Sequence, residues 1–489
     1  MTRDLSKTII KVGATIRDAM ASIDLTAHGV VFVLGGNTLV GILTDGDIRR
    51  ALLGGASLTD PVERYMNRDF VSGSVATGNQ ANLKLLNERI RTLPVIDAQG
   101  QLVEILHWAD LYRLPIMEPD LQGKELEYVV DCLTSNWISS QGQYVEDFQQ
   151  AFRSYLGGCH ALCVSNGTVA IHLALVALGI GSGDEVIVPD LTFVAPASMI
   201  LHTGAKPVLV DVDRRTWTID PSAVEAAITS RTRAILPVHL YGHPCDMDPL
   251  LEIARKHDLY VIEDCAEALG AEYKGRKVGT FGDIGTFSFF ANKVITTGEG
   301  GMVVTRNPEL HHRMMLLRDH GMSRERRYWH LQAGFNYRLT NIQAAIGLAQ
   351  MERIEKFLAY RDKVIKRYDM QLGGLPGIVL PPREAWGRNI FWLYSILVDE
   401  TASGIDRDSL MSQLAVYGID TRPFFHPVHQ QPPYADGAAV NCPNSTWLAA
   451  SGMSLPTSNN ISLDDVDRVC KAVRSILDSS TVFRHHERG

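Results

Sequence analysis

Four short apolar runs, DEVIVP, KPVLVDV, RAILPVHL and LYVIEDC, recur between residues 184 and 265, with helical stretches such as DPLLEIARKH between them. Each run is rich in β-branched residues and ends in a polar residue or proline. Strands that are apolar throughout are buried on both faces, and strands alternating with helices build βαβ units. The pattern predicts an α/β fold on a mostly parallel sheet. A helix is expected at 125–134, a small-residue helix at 168–178 after Ser165-Asn166, and one long helix at 341–361. Smaller strands and helices follow, as in FWLYSILVD and LDDVDRVCKAVRSIL, and read as a smaller α/β domain.

The first part of the chain follows another rule. GVVFVLGGNTLVGILTDGDIRRAL is echoed by PVIDAQGQLVEILHWADLYRL at an offset of 63, with Val33 matched to Ile96, Leu39 to Leu102, Ile42 to Ile105 and Asp47 to Asp110. Each copy reads as strand, turn, strand, helix, and each is preceded by a helical pattern, TIRDAMASID or ANLKLLNERI. The segment 114–123 carries two prolines and a glycine and is expected to be a linker, because proline does not continue a helix. The expected domains are 1–113, the linker 114–123, a large domain at 124–360 and a small one at 361–480. A length of 489 residues fits about three units at roughly 150 residues each.

Composition narrows the class. Apolar residues make 45% and charged residues 21%, which excludes a mostly disordered or coiled-coil chain. The net charge of −8 offers no broad basic surface for nucleic acid or membrane. The start, MTRDLSKTIIKVG, lacks the apolar core of a signal peptide, and no apolar stretch is long enough to span a bilayer. Seven cysteines include no C-x-x-C pair, so a reduced, cytoplasmic protein is expected, with no disulfide framework and no metal.

Three features carry chemistry. Asp264 ends an apolar strand, where ligands sit in open parallel sheets, although an aspartate there also serves as a helix N-cap. Lys293 follows a strand containing Phe287, Phe289 and Phe290 and precedes the turn Gly298-Glu-Gly-Gly. Such a lysine either reaches for water or has its pKa lowered for covalent catalysis. Gly167 and Thr168 open a helix whose free N–H groups suit a phosphate, or are simply capped. Together, a phosphate cradle, a strand-end carboxylate and a lysine make up the parts that pyridoxal phosphate requires.

The motifs WISSQGQYVEDF, VSNGTVAIHLAL, GDEVIVPDLTFVA, HLYGHPCDMD, IEDCAEALGA, GTFGDIGTFSFFANKVITTGEGGMVVT and GFNYRLTNIQAAIGLAQMERI occur in this order. With them, residues 117–477 resemble the DegT/StrS sugar-nucleotide aminotransferases, of fold-type-I architecture. The resemblance implies pyridoxal 5′-phosphate, with Lys293 as its covalent anchor and general base and Asp264 on the pyridine nitrogen. Glu267 would lie near the 3′-oxygen and Phe193 would stack on the ring. Gly167, Thr168 and Ser288 would bind the phosphate, and Asn336 would reach the phosphate of a neighbouring subunit in a homodimer. It implies amino transfer from L-glutamate to a nucleotide-linked 4-keto-6-deoxyhexose, with GDP-4-keto-6-deoxymannose preferred over UDP- or dTDP-linked sugars. A related branch with histidine at the lysine position deoxygenates its sugar, and Lys293 favours amination. His320, Arg326 and Arg338 are weaker candidates for the substrate diphosphate, or ordinary surface groups. His429, with His426 in PFFHPVHQQPPY, is expected to contact sugar, no Cys, Asp or Glu nearby in sequence completing a metal set.

GILTDGDIRRAL resembles a CBS motif, and 1–113 a CBS pair. The resemblance implies a ribose contact by Thr44 and Asp47, with a regulatory nucleotide as ligand. In the second copy His107 replaces the threonine while Asp110 is kept, so one site is expected rather than two. The competing reading is a nucleotide-sensing regulator with a vestigial catalytic domain.

Overall fold

A computed structural model describes residues 5–26, 29–77, 81–82, 85–86, 90–108, 114–435 and 440–487. They form two compact units, residues 1–114 with 412–420, and 115–411 with 421–489.

In the first unit the repeat is real. Copy one contains β1 (Ile9–Lys11), α1 (Ile16–Thr26), β2 (Val30–Gly35), β3 (Thr38–Thr44) and α2 (Asp45–Leu53). Copy two contains β4 (Gly73–Ser74), β5 (Thr92–Ile96) and β6 (Leu102–His107). In each, the first strand runs parallel to the second and the second antiparallel to the third. Half of the expected helix at 81–90, residues 83–84 and 87–89, and Asp110 lie outside the described residues. One match shifts by a residue. Leu34 pairs with Leu39 as Ile96 pairs with Leu102, so Ile96 stands where Leu34 does, not Val33. The DAQG turn is one residue longer than its counterpart, and a one-residue shift exchanges sheet faces. Val30, Phe32 and Leu39 of one copy share a core with Ile105, Ile96 and Leu102 of the other. Thr44 caps α2 in a reciprocal capping box with Asp47, 2.6 Å between their side-chain oxygens. His107 takes the place of Thr44 opposite β5, with Nδ1 3.2 Å from Thr92 Oγ1.

The stretch 114–123 is packed rather than a free tether. Leu114 exchanges backbone hydrogen bonds with Gly418 and Asp420 inside the first unit. The unit boundary follows it at once. Ile116 and Met117 are buried in the core of the second unit, and Asp120 pairs with Arg353 at 2.8 Å. Apolar burial and an ion pair hold the segment where two prolines suggested only a break.

The second unit is built on seven strands: β7 (His160–Val164), β8 (Glu185–Pro189), β9 (Lys206–Val210), β10 (Thr232–Ile235), β11 (Tyr260–Asp264), β12 (Ile284–Ser288) and β13 (Gly301–Thr305). Their order is β7-β13-β12-β11-β10-β8-β9, and β13 alone runs against the others. Val186 and Val188 face one core with α4 (Gly167–Ala177), whereas Ile187 faces the opposite core with α5 (Met247–His257). Both faces are covered, which is why the strands read as continuous apolar runs. The helix α3 (Glu125–Thr134) falls where the sequence places it.

The single long helix expected at 341–361 is two, α6 (Asn341–Met351) and α7 (Ile354–Leu372). Arg353, at φ −113° and ψ 1°, leaves the helical region between them. Its guanidinium is drawn to Asp120 and Glu125. The expected division at 360/361 therefore falls inside α7. Beyond it β14 (Ile378–Val379), β15 (Tyr394–Val398), β16 (Arg422–Pro423) and β17 (Gly452–Leu455) form an antiparallel sheet in the order β14-β15-β17-β16. The last helix is α8 (Leu463–Glu487), tied to α7 by Arg367 and Asp467. No helix among the described residues is long and apolar enough to cross a membrane. All seven cysteines are free and buried.

Candidate active site

Because β13 runs against its neighbours, the other six strands all end at one edge of the sheet. That edge gathers the residues singled out by sequence. β11 delivers Asp264, β12 delivers Ser288, β8 leads to Phe193, and β7 leads to Gly167 and Thr168.

Asp264 is buried, and burial pushes its carboxyl above the usual range. Its Oδ1 accepts the Ala266 N–H at 2.9 Å. Glu267, one turn on, is also buried. Its Oε2 accepts the Tyr241 N–H at 2.8 Å, and its Oε1 lies 3.7 Å from Lys293 Nζ. Burial pushes Glu267 up to about 7 and holds the Lys293 ammonium below the usual lysine range. The lysine Nζ also stands 3.7 Å from the ring centre of Trp392, over its face.

This shift has a sign that thermal unfolding can read. Between 4.5 and about 7 the folded protein keeps a Glu267 proton that the unfolded chain releases. The associated stability is present below 4.5 and is lost as pH rises through 7. Glu267→Gln apoprotein is therefore expected to gain in Tm relative to wild type as pH rises from 4.5 to 7.5. Parallel Tm curves would contradict the assignment.

Gly167 starts α4 behind the cap Asn166, whose side chain accepts the Val169 N–H at 2.9 Å. A Cβ on Gly167 would stand 2.7 Å from the Cβ of Ser288, so only glycine permits this approach. The first N–H groups of the helix lie beside the Ser288 hydroxyl, a cradle suited to a phosphate. Phe193 is exposed and meets Phe425 edge-on at 5.7 Å, and Phe425 in turn stacks on Tyr241. Sequence reasoning missed Tyr241, Trp392 and Phe425. Trp392 and Phe425 lie in runs read only as a strand and a loop, and their convergence on Lys293 and Phe193 is tertiary.

The weaker candidates His320, Arg326, Asn336 and Arg338 share one segment, 319–338, whose Tyr337 carbonyl accepts the Ser165 N–H at 2.9 Å, two residues before Gly167. Asp319 bridges Asn336, and Met322 bridges His330. Within that segment Arg338 binds Asp319 at 3.0 Å and Asn336 Oδ1 at 3.2 Å. His320 adopts φ 57°, and Arg326 lies over the Trp329 ring. Asn336 and Arg326 are exposed.

His429 gains an acidic and a thiol neighbour that its sequence surroundings lack. Asp190 and Cys442, distant in sequence, converge on it. His429 donates its backbone N–H to Asp190 Oδ1 at 2.8 Å and places Nδ1 2.7 Å from Asp190 Oδ2. Two ligands of a tetrahedral zinc stand roughly 3.3 Å apart at ~2.0–2.1 Å bonds. The closer spacing is that of a hydrogen bond, which ties the loop carrying Phe425 to the end of β8. A second buried group, His239, Glu263 and Cys265, is likewise hydrogen-bonded. Glu263 accepts N–H groups from Gly279, Phe281 and Gly282 and faces His239 Nε2 at 3.2 Å.

The residues fit pyridoxal phosphate: a buried carboxylate for the ring nitrogen, a lysine of lowered proton affinity, an exposed aromatic, and a glycine-opened helix N-terminus. Comparison with known proteins agrees. The profile of the DegT/DnrJ/EryC1/StrS aminotransferase family matches residues 119–474, and that of the CBS domain matches residues 1–54. GDP-perosamine synthase of Caulobacter vibrioides is 50% identical over 370 residues, 76% of this chain and 100% of that protein. GDP-perosamine synthase of Escherichia coli O157:H7 is 46% identical over 360 residues, 74% of this chain and 97% of that protein. The crystal structure of S. venezuelae DesV superposes with TM-score 0.70 at 38% identity, covering 75% of this chain and 98% of that one. The chain belongs to the DegT/DnrJ/EryC1/StrS aminotransferase family and is a pyridoxal-phosphate-dependent sugar aminotransferase with an N-terminal CBS domain.

Proposed function

We propose that the enzyme moves an amino group from L-glutamate to GDP-4-keto-6-deoxymannose, forming GDP-perosamine. The observation that carries the reading is Lys293, half-buried between the Glu267 carboxylate and the Trp392 ring at the strand-end edge that holds Asp264. The two GDP-perosamine synthases support the nucleotide and the sugar.

When bound, pyridoxal phosphate supplies an electron sink next to the reacting carbon. The protein supplies the rest. Lys293 anchors the cofactor, takes a proton from the amino donor and returns one at the sugar's C4; burial lowers its proton affinity, which favours the amine form that the first task needs. Asp264 holds the proton on the pyridine nitrogen. The N–H groups of Gly167 and Thr168 and the Ser288 hydroxyl bind the phosphate. Phe193 covers one ring face, and Glu267 hydrogen-bonds near the 3′-oxygen. His320, Arg326, Arg338 and His429 border the substrate. A panel of GDP-, UDP- and dTDP-linked 4-keto-6-deoxyhexoses, assayed with glutamate, tests the reading. Highest kcat/KM on the GDP sugar is expected. Preference for a UDP or dTDP sugar would overturn the assignment, and absence of turnover on all three would favour the regulator.

We propose that the enzyme is a cytoplasmic homodimer in which Asn336 reaches the partner's cofactor phosphate. Leu126, Val130, Leu133 and Trp137 follow one another at helical spacing along and just beyond α3, all exposed. Leu126→Asp with Leu133→Asp is expected to give a monomer by light scattering and at least about a tenfold loss of turnover, since one misplaced group costs that much. A dimer of full activity would refute it. In the first CBS copy, Thr44 and Asp47 hold a regulatory adenosine or guanosine phosphate. Calorimetric titration of the full chain with ATP and GTP, compared with Asp47→Ala, tests this, and equal heats from both proteins would exclude the site.

A further inference from the structure

Arg361 lies in the middle of α7 and is 1% exposed. A guanidinium this deep is ordinarily matched by a carboxylate. Arg361 makes no ion pair among the described residues, and all five of its bonds go to uncharged oxygens. Nε donates to the Ile390 carbonyl at 3.3 Å. One terminal nitrogen, Nη2, donates to the carbonyls of Phe391, at 2.6 Å, and of Trp392. The other, Nη1, donates to the Thr457 carbonyl and to Asn459 Oδ1, both at 2.9 Å. One side chain thus clasps two separate segments, 390–392 and 457–459.

Each segment continues to the chain beside Lys293. From the first, the Trp392 indole N–H donates to the carbonyl of Asn292 at 2.6 Å, while its ring face lies against Lys293 Nζ. From the second, Asn459 Nδ2 donates to the carbonyl of Val294 at 2.8 Å. Asn292 and Val294 are the residues immediately before and after Lys293. The 390–392 turn is no ordinary one. Phe391 sits at φ 48°, which residues with a Cβ rarely adopt. It is held by the Asn389 side chain on its N–H and by Arg361 on its carbonyl.

We propose that Arg361 is a positioning residue for Lys293, acting through two arms, Trp392 onto Asn292 and Asn459 onto Val294. The inference rests on the role of Lys293 given above and extends it to a residue that touches neither substrate nor cofactor. Only arginine presents five donors in a fixed planar fork, and lysine, with three on one atom, cannot hold both segments. Clamped on both sides, the lysine meets its proton donor and acceptor at one fixed geometry and keeps its ammonium over the Trp392 ring.

Three variants test this: Arg361→Lys, Trp392→Phe, which keeps an aromatic ring but lacks the indole N–H, and Asn459→Leu. Two readouts separate positioning from mere stability. The first is the pH midpoint of the bound cofactor's visible absorbance; the second is the rate at which apoprotein captures added pyridoxal phosphate. Each single-arm variant is expected to shift the midpoint by about half a unit or more. Each is also expected to slow capture, and to lower kcat about tenfold with KM for the keto-sugar unchanged within about twofold. Arg361→Lys should exceed both. If it does not fold, the two single-arm variants decide. An unchanged midpoint and capture rate in both single-arm variants overturns the proposal, whether or not Tm falls. Turnover by Lys293→Ala above about a hundredth of the wild-type rate would instead overturn the role of Lys293 on which it rests, so the two failures are distinguishable.

Discussion

Lys293→Ala is expected to lose at least about 10⁴-fold in transamination, the upper range for a positioned acid–base group. No neighbour can take over the task. Glu267, the nearest titratable group at 3.7 Å, is held by the Tyr241 N–H, and Asp264 by the Ala266 N–H. The Trp392 ring offers no proton to a reacting carbon. Fold and cofactor affinity are affected far less than rate, because Gly167, Thr168 and Ser288 are untouched. Lys293→Arg separates charge from chemistry: it keeps a cation over Trp392 but gives up the neutral amine, so it should be nearly as inactive. Rapid mixing of each loaded variant with glutamate measures the first half-reaction alone. Added methylamine should restore part of the rate to Lys293→Ala and none to wild type. More than a hundredth of the wild-type rate without the amine would remove Lys293 from its assigned role.

The second large effect belongs to Asp264. Asp264→Asn is expected to lower kcat by about 10²–10³-fold, the cost of removing one preorganised charge. The change is nearly isosteric, and an amide oxygen can still accept the Ala266 N–H. The apoprotein moves the other way. Burial raises the Asp264 carboxyl, so its contribution to stability is lost as pH rises through the folded value. At pH 7 the wild-type apoprotein carries that cost, and Asp264→Asn does not. Its Tm should equal or exceed wild type without cofactor and fall below it with cofactor, when the ring cation that balances the carboxylate is present. A variant that loses rate and apoprotein stability together would make Asp264 a structural cap.

The parallel sheet was legible because its strands are buried on both faces, which leaves continuous apolar runs such as EVIVP. Asp264 and Gly167 were legible because both stand at the ends of such strands, where chain direction alone delivers them to one edge. Other features had no local signature. The break at Arg353 comes from carboxylates at positions 120 and 125, outside any helical window. The partner of His429 is Asp190, 239 residues earlier. The register between the two copies of the N-terminal repeat differs by one because turn length, not apolar pattern, decides which residues face each other. Arg361 reads in sequence as one more charge on an amphipathic helix. Only the carbonyls of 390–392 and 457–459 reveal what it holds.

The edge strand β7 pairs with β13, so His160 meets Thr305 and Val164 meets Gly301. Contacts of such sequence separation close late, since a long loop must be ordered before they return any stability. The phosphate cradle at Gly167 therefore stays apart from Ser288 and Lys293 until the chain through residue 305 is available. During synthesis a ribosome-bound fragment ending before Gly301 has Asp264, the cradle and the lysine, yet lacks the strand that closes the sheet between them. Docking of β13, the last of this sheet's seven strands in the sequence, is thus what brings the cradle beside Ser288.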